Sequence, residues 1–128
     1  DKPGLGKIGD IVALEVNMRP PGGPAPDLIN FGQSVDTYQI YADIICYDQI
    51  RNVNLNHPKY YCCFVGRRDR FNYKFSYEMI KAMYPTQIKM HERMSKVLAG
   101  AMGDEYFAAK FEHFDDVEKF MMIVLEKN

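Results

Sequence analysis

Apolar and polar residues alternate along the segment from Ile11 to Arg19. One set of alternate positions is apolar throughout and consists of Val12, Leu14, Val16 and Met18. The other set becomes polar toward the end of the segment. Because successive side chains of a strand point to opposite faces, this period of two predicts a β-strand with one buried face.

The next eight residues, from Pro20 to Asp27, predict a stiff loop. They read PPGGPAPD and contain four prolines and two glycines. Proline fixes φ and removes a backbone donor, whereas glycine permits positive φ. We therefore expect no regular structure in these eight residues.

A helix is predicted to follow, from Ser34 or Asp36, either of which can cap it, to about Asp48. Its apolar residues recur at helical spacing: Tyr38, Ile40, Tyr41, Ala42, Ile44 and Ile45. Aromatic and methionine stripes at this spacing are mostly core. We expect this stripe, Tyr47 and the methionines to be buried, with a cofactor pocket or a partner groove as the alternative.

The remainder of the chain predicts short strands and helices in alternation. They are a strand over 59–68, a polar and aromatic turn or hairpin over 68–75, a helix over 76–83, a strand over 87–94, a turn over 100–103, a strand over 105–111 and a helix from Asp115 or Asp116 to near Lys127. The last helix is expected to bury Val117, Phe120, Met121 and either Val124 or Leu125. This order is typical of a single α+β domain with a mostly antiparallel sheet, covered on one face by flanking helices.

Charge and hydropathy narrow the class of protein. Sixteen basic residues against seventeen acidic ones give a net charge of -1, which argues against a nucleic-acid-binding surface. No apolar run approaches the roughly 20 residues that span a bilayer, and the N-terminal residues lack the apolar core of a secretory signal. We therefore expect neither nucleic acid nor membrane as a partner, and a cytoplasmic location.

Three cysteines, Cys46, Cys62 and Cys63, have the spacing of neither a disulfide framework nor a zinc site. On a strand, the adjacent pair would point to opposite faces. We expect all three to be small buried apolar residues in a reducing compartment. A reactive thiol is the alternative.

Three polar side chains of the predicted first strand could carry chemistry. Glu15, Asn17 and Arg19 occupy alternate positions, so they leave one face of the strand over roughly 13 Å, at about 3.3 Å per residue. A carboxylate and an amide oxygen suit Mg²⁺, a hard cation with oxygen ligands, and an arginine fork suits phosphate or carboxylate. The alternative is the solvated face of an ordinary half-exposed sheet.

The segment VALEVNMRPPGG, residues 12–23, resembles the metal-binding strand and loop of the ATP-grasp superfamily. Its PPGG loop is closest to the carbamoyl-phosphate-synthetase-like branch and differs from the loop of biotin carboxylase. Residues 60–76 and 101–127 are similar, more weakly, to the C-terminal part of such ligases. The resemblance implies the C-terminal part of an ATP-grasp fold, in which 1–33 hold the metal-binding strand and loop and 34–128 form an α+β subdomain.

The resemblance also implies roles for the three polar residues. Glu15 and Asn17 would be ligands of the Mg²⁺ (or Mn²⁺) ions that bridge the phosphates of ATP, and Arg19 would be the catalytic contact to the transferred phosphate or acyl phosphate. The implied activity is ATP-dependent ligation of a small carboxylate. The carboxylate attacks the γ-phosphate to give an acyl phosphate, and an amine or thiol then displaces the phosphate.

The family's nucleotide-binding lysines, glycine-rich loop and adenine-contacting hinge lie upstream of the Glu-x-Asn strand. Only ten residues precede Ile11 here. We therefore expect the chain to work with upstream lobes of a longer parent chain and to be inactive alone. The carboxylate, the acceptor and the oligomeric state, a homo-oligomer included, are left open by the sequence.

Two further groups of polar residues could be functional or could be ordinary surface residues. Four basic residues cluster after a predicted strand: Arg67, Arg68, Arg70 and Lys74. They could contact an anionic substrate, but we expect a solvated turn. The three histidines are expected on the surface: His57, His91 and His113.

A small non-catalytic α+β interaction domain is the alternative function. In that case Glu15, Asn17 and Arg19 would be ordinary surface residues, and no divalent cation would bind them. Titration with Mg²⁺ or Mn²⁺ therefore distinguishes the two functions on the chain itself.

Overall fold

A computed structural model of the protein describes residues 7, 9–11, 19, 21–51, 53–54 and 56–128. The elements formed by these residues are α1 (Ala25–Gln33), α2 (Thr37–Tyr47), β1 (Tyr61–Arg67), α3 (Tyr77–Met83), β2 (Ile88–Arg93), α4 (Lys96–Met102), β3 (Glu105–Phe111) and α5 (Phe114–Leu125). The strands form an antiparallel sheet in the order β1-β3-β2. The α+β class is thereby confirmed. The predicted first strand lies outside the described residues from 12 to 18.

One face of the sheet forms the main core with α3 and α5. Alternate positions of neighbouring strands meet there, with Cys63 opposite Ala109 and Val65 opposite Phe107. The helices contribute four fully or nearly fully buried side chains: Ile80, Val117, Phe120 and Val124. The prediction for the last helix is right for three of its residues, whereas Met121 and Leu125 are exposed.

The opposite face of the sheet is covered by α1. Gly32 of this helix lies against β1, where an added Cβ would be 3.6 Å from the Cys62 sulfur. Tyr106 and Ala108 of β3 point to the same side and are buried. The expectation of a sheet covered on one face is therefore wrong, because the chain supplies a helix that the sequence pattern did not reveal.

Helix α1 begins inside the predicted loop. Pro24 precedes the first helical residue and Pro26 lies in the first turn. The first four N–H groups of a helix have no intrahelical partner, so proline removes nothing there and its fixed φ suits the helix. Regular structure therefore starts at Ala25, and the expected loop through Asp27 is too long.

Helix α4 also replaces part of a predicted turn. Gly100 lies inside this helix, and only Gly103, with φ of +104°, ends it. The end of the helix packs closely on β1, because a Cβ at Gly66 would be 2.1 Å from the carbonyl oxygen of Met102. The two glycines thus allow α4 to approach the sheet.

The predicted bounds of helix α2 are confirmed, but the predicted burial of its apolar stripe is not. The Asp36 carboxylate accepts a hydrogen bond from the Gln39 backbone N–H at 3.0 Å, a typical N-cap. Its stripe faces solvent, with five exposed large side chains: Tyr38, Tyr41, Ile44, Ile45 and Tyr47. The core interpretation was wrong, because the main packing contact of α2 among the described elements is with α1. Several methionines are exposed as well: Met79, Met83, Met121 and Met122.

The cysteines differ from one another in burial. Cys63 is buried in the core, and burial raises the pKa of its thiol to about 11. Cys62 is half-buried on the opposite face, and Cys46 is exposed on α2. The expectation that all three are buried is therefore confirmed for Cys63 only.

No helix among the described residues is long and apolar enough to cross a lipid bilayer.

Candidate functional site

The three predicted site residues lie at the edge of what the structure describes. Glu15 and Asn17 are outside the described residues, so their predicted convergence stays a prediction. Arg19 is described and lies exposed at a bend. The chain then turns through Gly23, which has φ of +61°, and enters α1. Helix α1, which follows this turn, packs on β1.

A cleft of about 350 Å³ opens directly beside this turn. Its wall is formed by the turn before α1, the end of β2, the start of β3 and the first part of α4. The residues with polar or charged side chains in this wall are Asp27, Glu92, Arg93, Ser95 and Tyr106, and the apolar ones are Pro24, Met90, Met94 and Leu98.

Two carboxylates in the cleft are each held by a tyrosine hydroxyl. Tyr106 donates to Glu92 Oε2 at 3.1 Å, and Tyr38 donates to Asp27 Oδ2 at 3.2 Å. The Arg93 guanidinium is occupied by the Asp69 carboxylate, to which it donates two hydrogen bonds. The charge left facing the cleft is therefore negative, which suits a ligand that brings a cation or several hydrogen-bond donors.

The pKa of the Tyr106 hydroxyl is strongly raised. Burial of its ring, the hydrogen bond to Glu92 and the negative charge of Glu92 and Asp27 together raise the pKa of the Tyr106 hydroxyl to about 12. The hydroxyl therefore stays protonated and remains a hydrogen-bond donor to Glu92 throughout the physiological range.

This shift predicts a loss of stability in alkali. The pKa of Tyr106 is raised above the unfolded value of 10.0, so the stability it contributes is complete below about pH 10 and is lost as the pH rises toward 12. We expect Tyr106→Phe to remove this part of the alkaline destabilisation, measured as urea unfolding midpoints from pH 8 to 12. Tyr41→Phe, which removes an exposed hydroxyl, is the matched control. Equal pH profiles for the wild type and Tyr106→Phe would contradict the assignment.

The first two arginines of the predicted basic cluster, Arg67 and Arg68, have structural roles. Arg67 is buried, and its Nε donates to the carbonyl oxygen of Val124 at 2.7 Å. Arg68 donates to the carbonyl oxygens of Ala99 at 2.7 Å and Gly100 at 2.9 Å and so caps the C-terminal turn of α4. The solvated-turn interpretation was wrong for these two arginines.

His91 is also more enclosed than expected. Its Nε2 lies 2.6 Å from Glu105 Oε1, and its ring stacks on Tyr77 with centroids 3.8 Å apart. Of the three histidines expected on the surface, His57 and His113 are exposed, and His91 instead belongs to the edge of the core.

Within the described part of the chain, no group of three or more His, Cys, Asp or Glu side chains could hold a metal ion. Glu15 and Asn17, which lie outside the described residues, stay the predicted metal ligands. A carboxylate and an amide oxygen fit Mg²⁺ by donor type, since that ion takes oxygen ligands and keeps several water or phosphate oxygens.

Sequence reasoning did not bring the residues of the cleft together. Asp27, Glu92 and Tyr106 come from three separate elements, and no spacing along the chain joins them. Asp27 could be singled out only as a residue able to cap a turn or orient Arg19.

Comparisons of the chain with protein-family models, with characterised proteins and with solved structures give no significant match.

Proposed function

We propose that the chain is the C-terminal part of an ATP- and Mg²⁺-dependent carboxylate ligase of the ATP-grasp type, which works through an acyl phosphate. The observation that carries the proposal is the pattern Glu15-x-Asn17-x-Arg19 followed at once by PPGG. The pattern has a carboxylate, an amide and a guanidinium at alternate residues, and it leads through a turn at Gly23 into α1, which packs on β1.

In this proposal Glu15 and Asn17 offer the oxygen atoms that hold the divalent cation. Bound Mg²⁺-ATP supplies the phosphoryl group and the positive charge that offsets its oxygens. Arg19 donates N–H groups to the transferred phosphoryl group or to the acyl phosphate, where negative charge accumulates. The three residues thus provide positioning and electrostatic stabilisation.

The cleft beside Gly23 could bind the acceptor substrate. Its negative charge, from Glu92 and Asp27, would attract a protonated amine and repel a thiolate. The bound amine must release a proton to solvent before its nitrogen attacks the acyl phosphate. The same cleft has apolar walls that suit a short aliphatic chain. We therefore favour an amine over a thiol as the acceptor.

Binding of Mn²⁺ to the chain itself tests the metal assignment. We expect weak binding, with paramagnetic broadening of amide NMR signals concentrated at residues 14–19. Glu15→Gln should abolish this pattern. Glu118→Gln removes the same charge from an exposed position of α5 and should preserve it. Broadening spread over the acidic residues of the surface, and unchanged in Glu15→Gln, would refute the assignment.

A non-catalytic interaction domain is the second candidate, and the exposed apolar stripe of α2 is the observation that favours it. In the ligase proposal the same stripe would be covered by the remainder of the parent enzyme. The Mn²⁺ experiment separates the two candidates, because an interaction domain needs no cation at Glu15 and Asn17.

A further inference from the structure

A second cleft, of about 490 Å³, lies at the other end of the sheet from Glu92. It is formed where β2 begins, β3 ends and α5 begins. Its lining residues are Tyr60, Thr86, Gln87, Lys89, Lys110, Phe111, Glu112, His113 and Asp116. The ligase proposal assigns no role to any of them.

Two lysines of this cleft have no carboxylate partner. The Lys110 ammonium lies 3.7 Å from the centre of the Tyr60 ring, and the Lys89 ammonium donates to the carbonyl oxygen of Thr86 at 2.8 Å. Among the described residues, neither ammonium is within ion-pair distance of an acidic side chain. Both retain N–H groups for a ligand.

A β-bulge sets the position of one of these lysines, Lys89. Ile88 pairs with Ala109 and Met90 with Ala108, so Lys89 is the extra residue between them. Bulges redirect a side chain and are frequent beside functional sites. Both lysines line the same cleft.

The acidic residues of the cleft do not neutralise the positive charge of its two lysines. Asp116 forms an ion pair with Lys119, with 3.0 Å between oxygen and nitrogen. Glu112 is exposed and is the remaining negative group, against Lys89 and Lys110. His113 begins α5 without a side-chain capping hydrogen bond. The field of the two lysines therefore dominates.

Gln87 supplies a hydrogen-bond acceptor that lacks a donor. Its Oε1 is buried and has no hydrogen-bond partner among the residues that the structure describes. A buried acceptor without a partner is costly, and a ligand that donates a hydrogen bond to it would remove that cost. The ligand should therefore carry a proton as well as negative charge.

We propose that this cleft binds the phosphate group of a small molecule, with Lys89 and Lys110 on its anionic oxygens and a protonated oxygen donating to Gln87. Each ammonium group acts as a point charge with several N–H donors, and lysine is a common ligand of phosphate.

Inorganic phosphate and sulfate are the probes. We expect phosphate near pH 7 to produce saturable amide NMR shifts at Lys89, Lys110 and His113. Sulfate, which carries no proton at this pH, should bind more weakly. Lys110→Gln and Lys89→Gln should each weaken phosphate binding by about tenfold, the effect of one charge-assisted hydrogen bond.

Two variants complete the test. Gln87→Met keeps the length of the side chain but removes the acceptor, and it should abolish the preference for phosphate over sulfate. Lys96→Gln removes the same charge from an exposed position of α4 and should leave binding unchanged. Absence of a saturable response, equal binding of sulfate by the wild type, or equal weakening by Lys96→Gln and Lys110→Gln would overturn the proposal.

Discussion

In the proposed parent ligase, Glu15→Gln is expected to lower ATP-dependent phosphate release by several orders of magnitude while the fold persists. The substitution keeps the size of the side chain and removes one negative charge from the proposed metal site. A divalent cation held less firmly stabilises the transferred phosphoryl group less well, and that stabilisation is the main contribution to catalysis of phosphoryl transfer. The measurement is steady-state phosphate release with saturating Mg²⁺-ATP.

The control for this experiment is Glu118→Gln, which changes the same charge on the exposed side of α5. It should keep near-normal phosphate release. Circular dichroism of both variants should match the wild type, because each substitution keeps the size of the side chain and removes only its charge. Near-normal phosphate release by Glu15→Gln would show that this carboxylate does not hold the catalytic metal.

The elements that the sequence predicted well are those whose local pattern agrees with their tertiary surroundings. Strands β1 and β3 are rich in aromatic and small apolar residues, and both lie in the sheet. Helix α3 has a capping residue, since Ser76 Oγ accepts from the Met79 N–H at 3.3 Å. Where propensity, capping and burial agree, the pattern alone suffices.

The missed elements depend on contacts that the pattern does not contain. Gly100 would weaken an isolated helix, but α4 forms because Arg68 binds its last carbonyls and Gly66 lets it approach β1. The apolar stripe of α2 is a similar case. Its spacing is helical, as predicted, yet its burial depends on what packs against it, and five of its large side chains stay exposed.

The residues of the two clefts also could not be grouped from the sequence alone. Glu92 meets Tyr106 because β2 and β3 are neighbours in a register that the bulge at Lys89 sets. A shift of one residue in that register would move the side chains of β2 to the other face. No periodicity in the sequence indicates a single extra residue, so both clefts became visible only in the fold. The motif of Glu15, Asn17 and Arg19, by contrast, is local and was visible at once.

Phe120→Ala is expected to lower the free energy of unfolding by about 3–5 kcal/mol, the usual cost of truncating a buried phenylalanine. The Phe120 side chain is fully buried on α5. Its ring meets Tyr84 at 5.0 Å and Phe111 at 5.4 Å between centroids. Since small domains are stable by only about 5–15 kcal/mol, this one substitution should remove a large share of the stability.

Phe114→Ala on the same helix is the matched control. Phe114 is 55% exposed and touches Tyr61 edge-on at 5.8 Å, so its truncation should cost about 1 kcal/mol or less. Urea unfolding followed by circular dichroism measures both values. Equal shifts would mean that α5 does not seal the core. The difference matters for function, because α5 holds β3, and β3 carries Tyr106 in one cleft and Lys110 in the other.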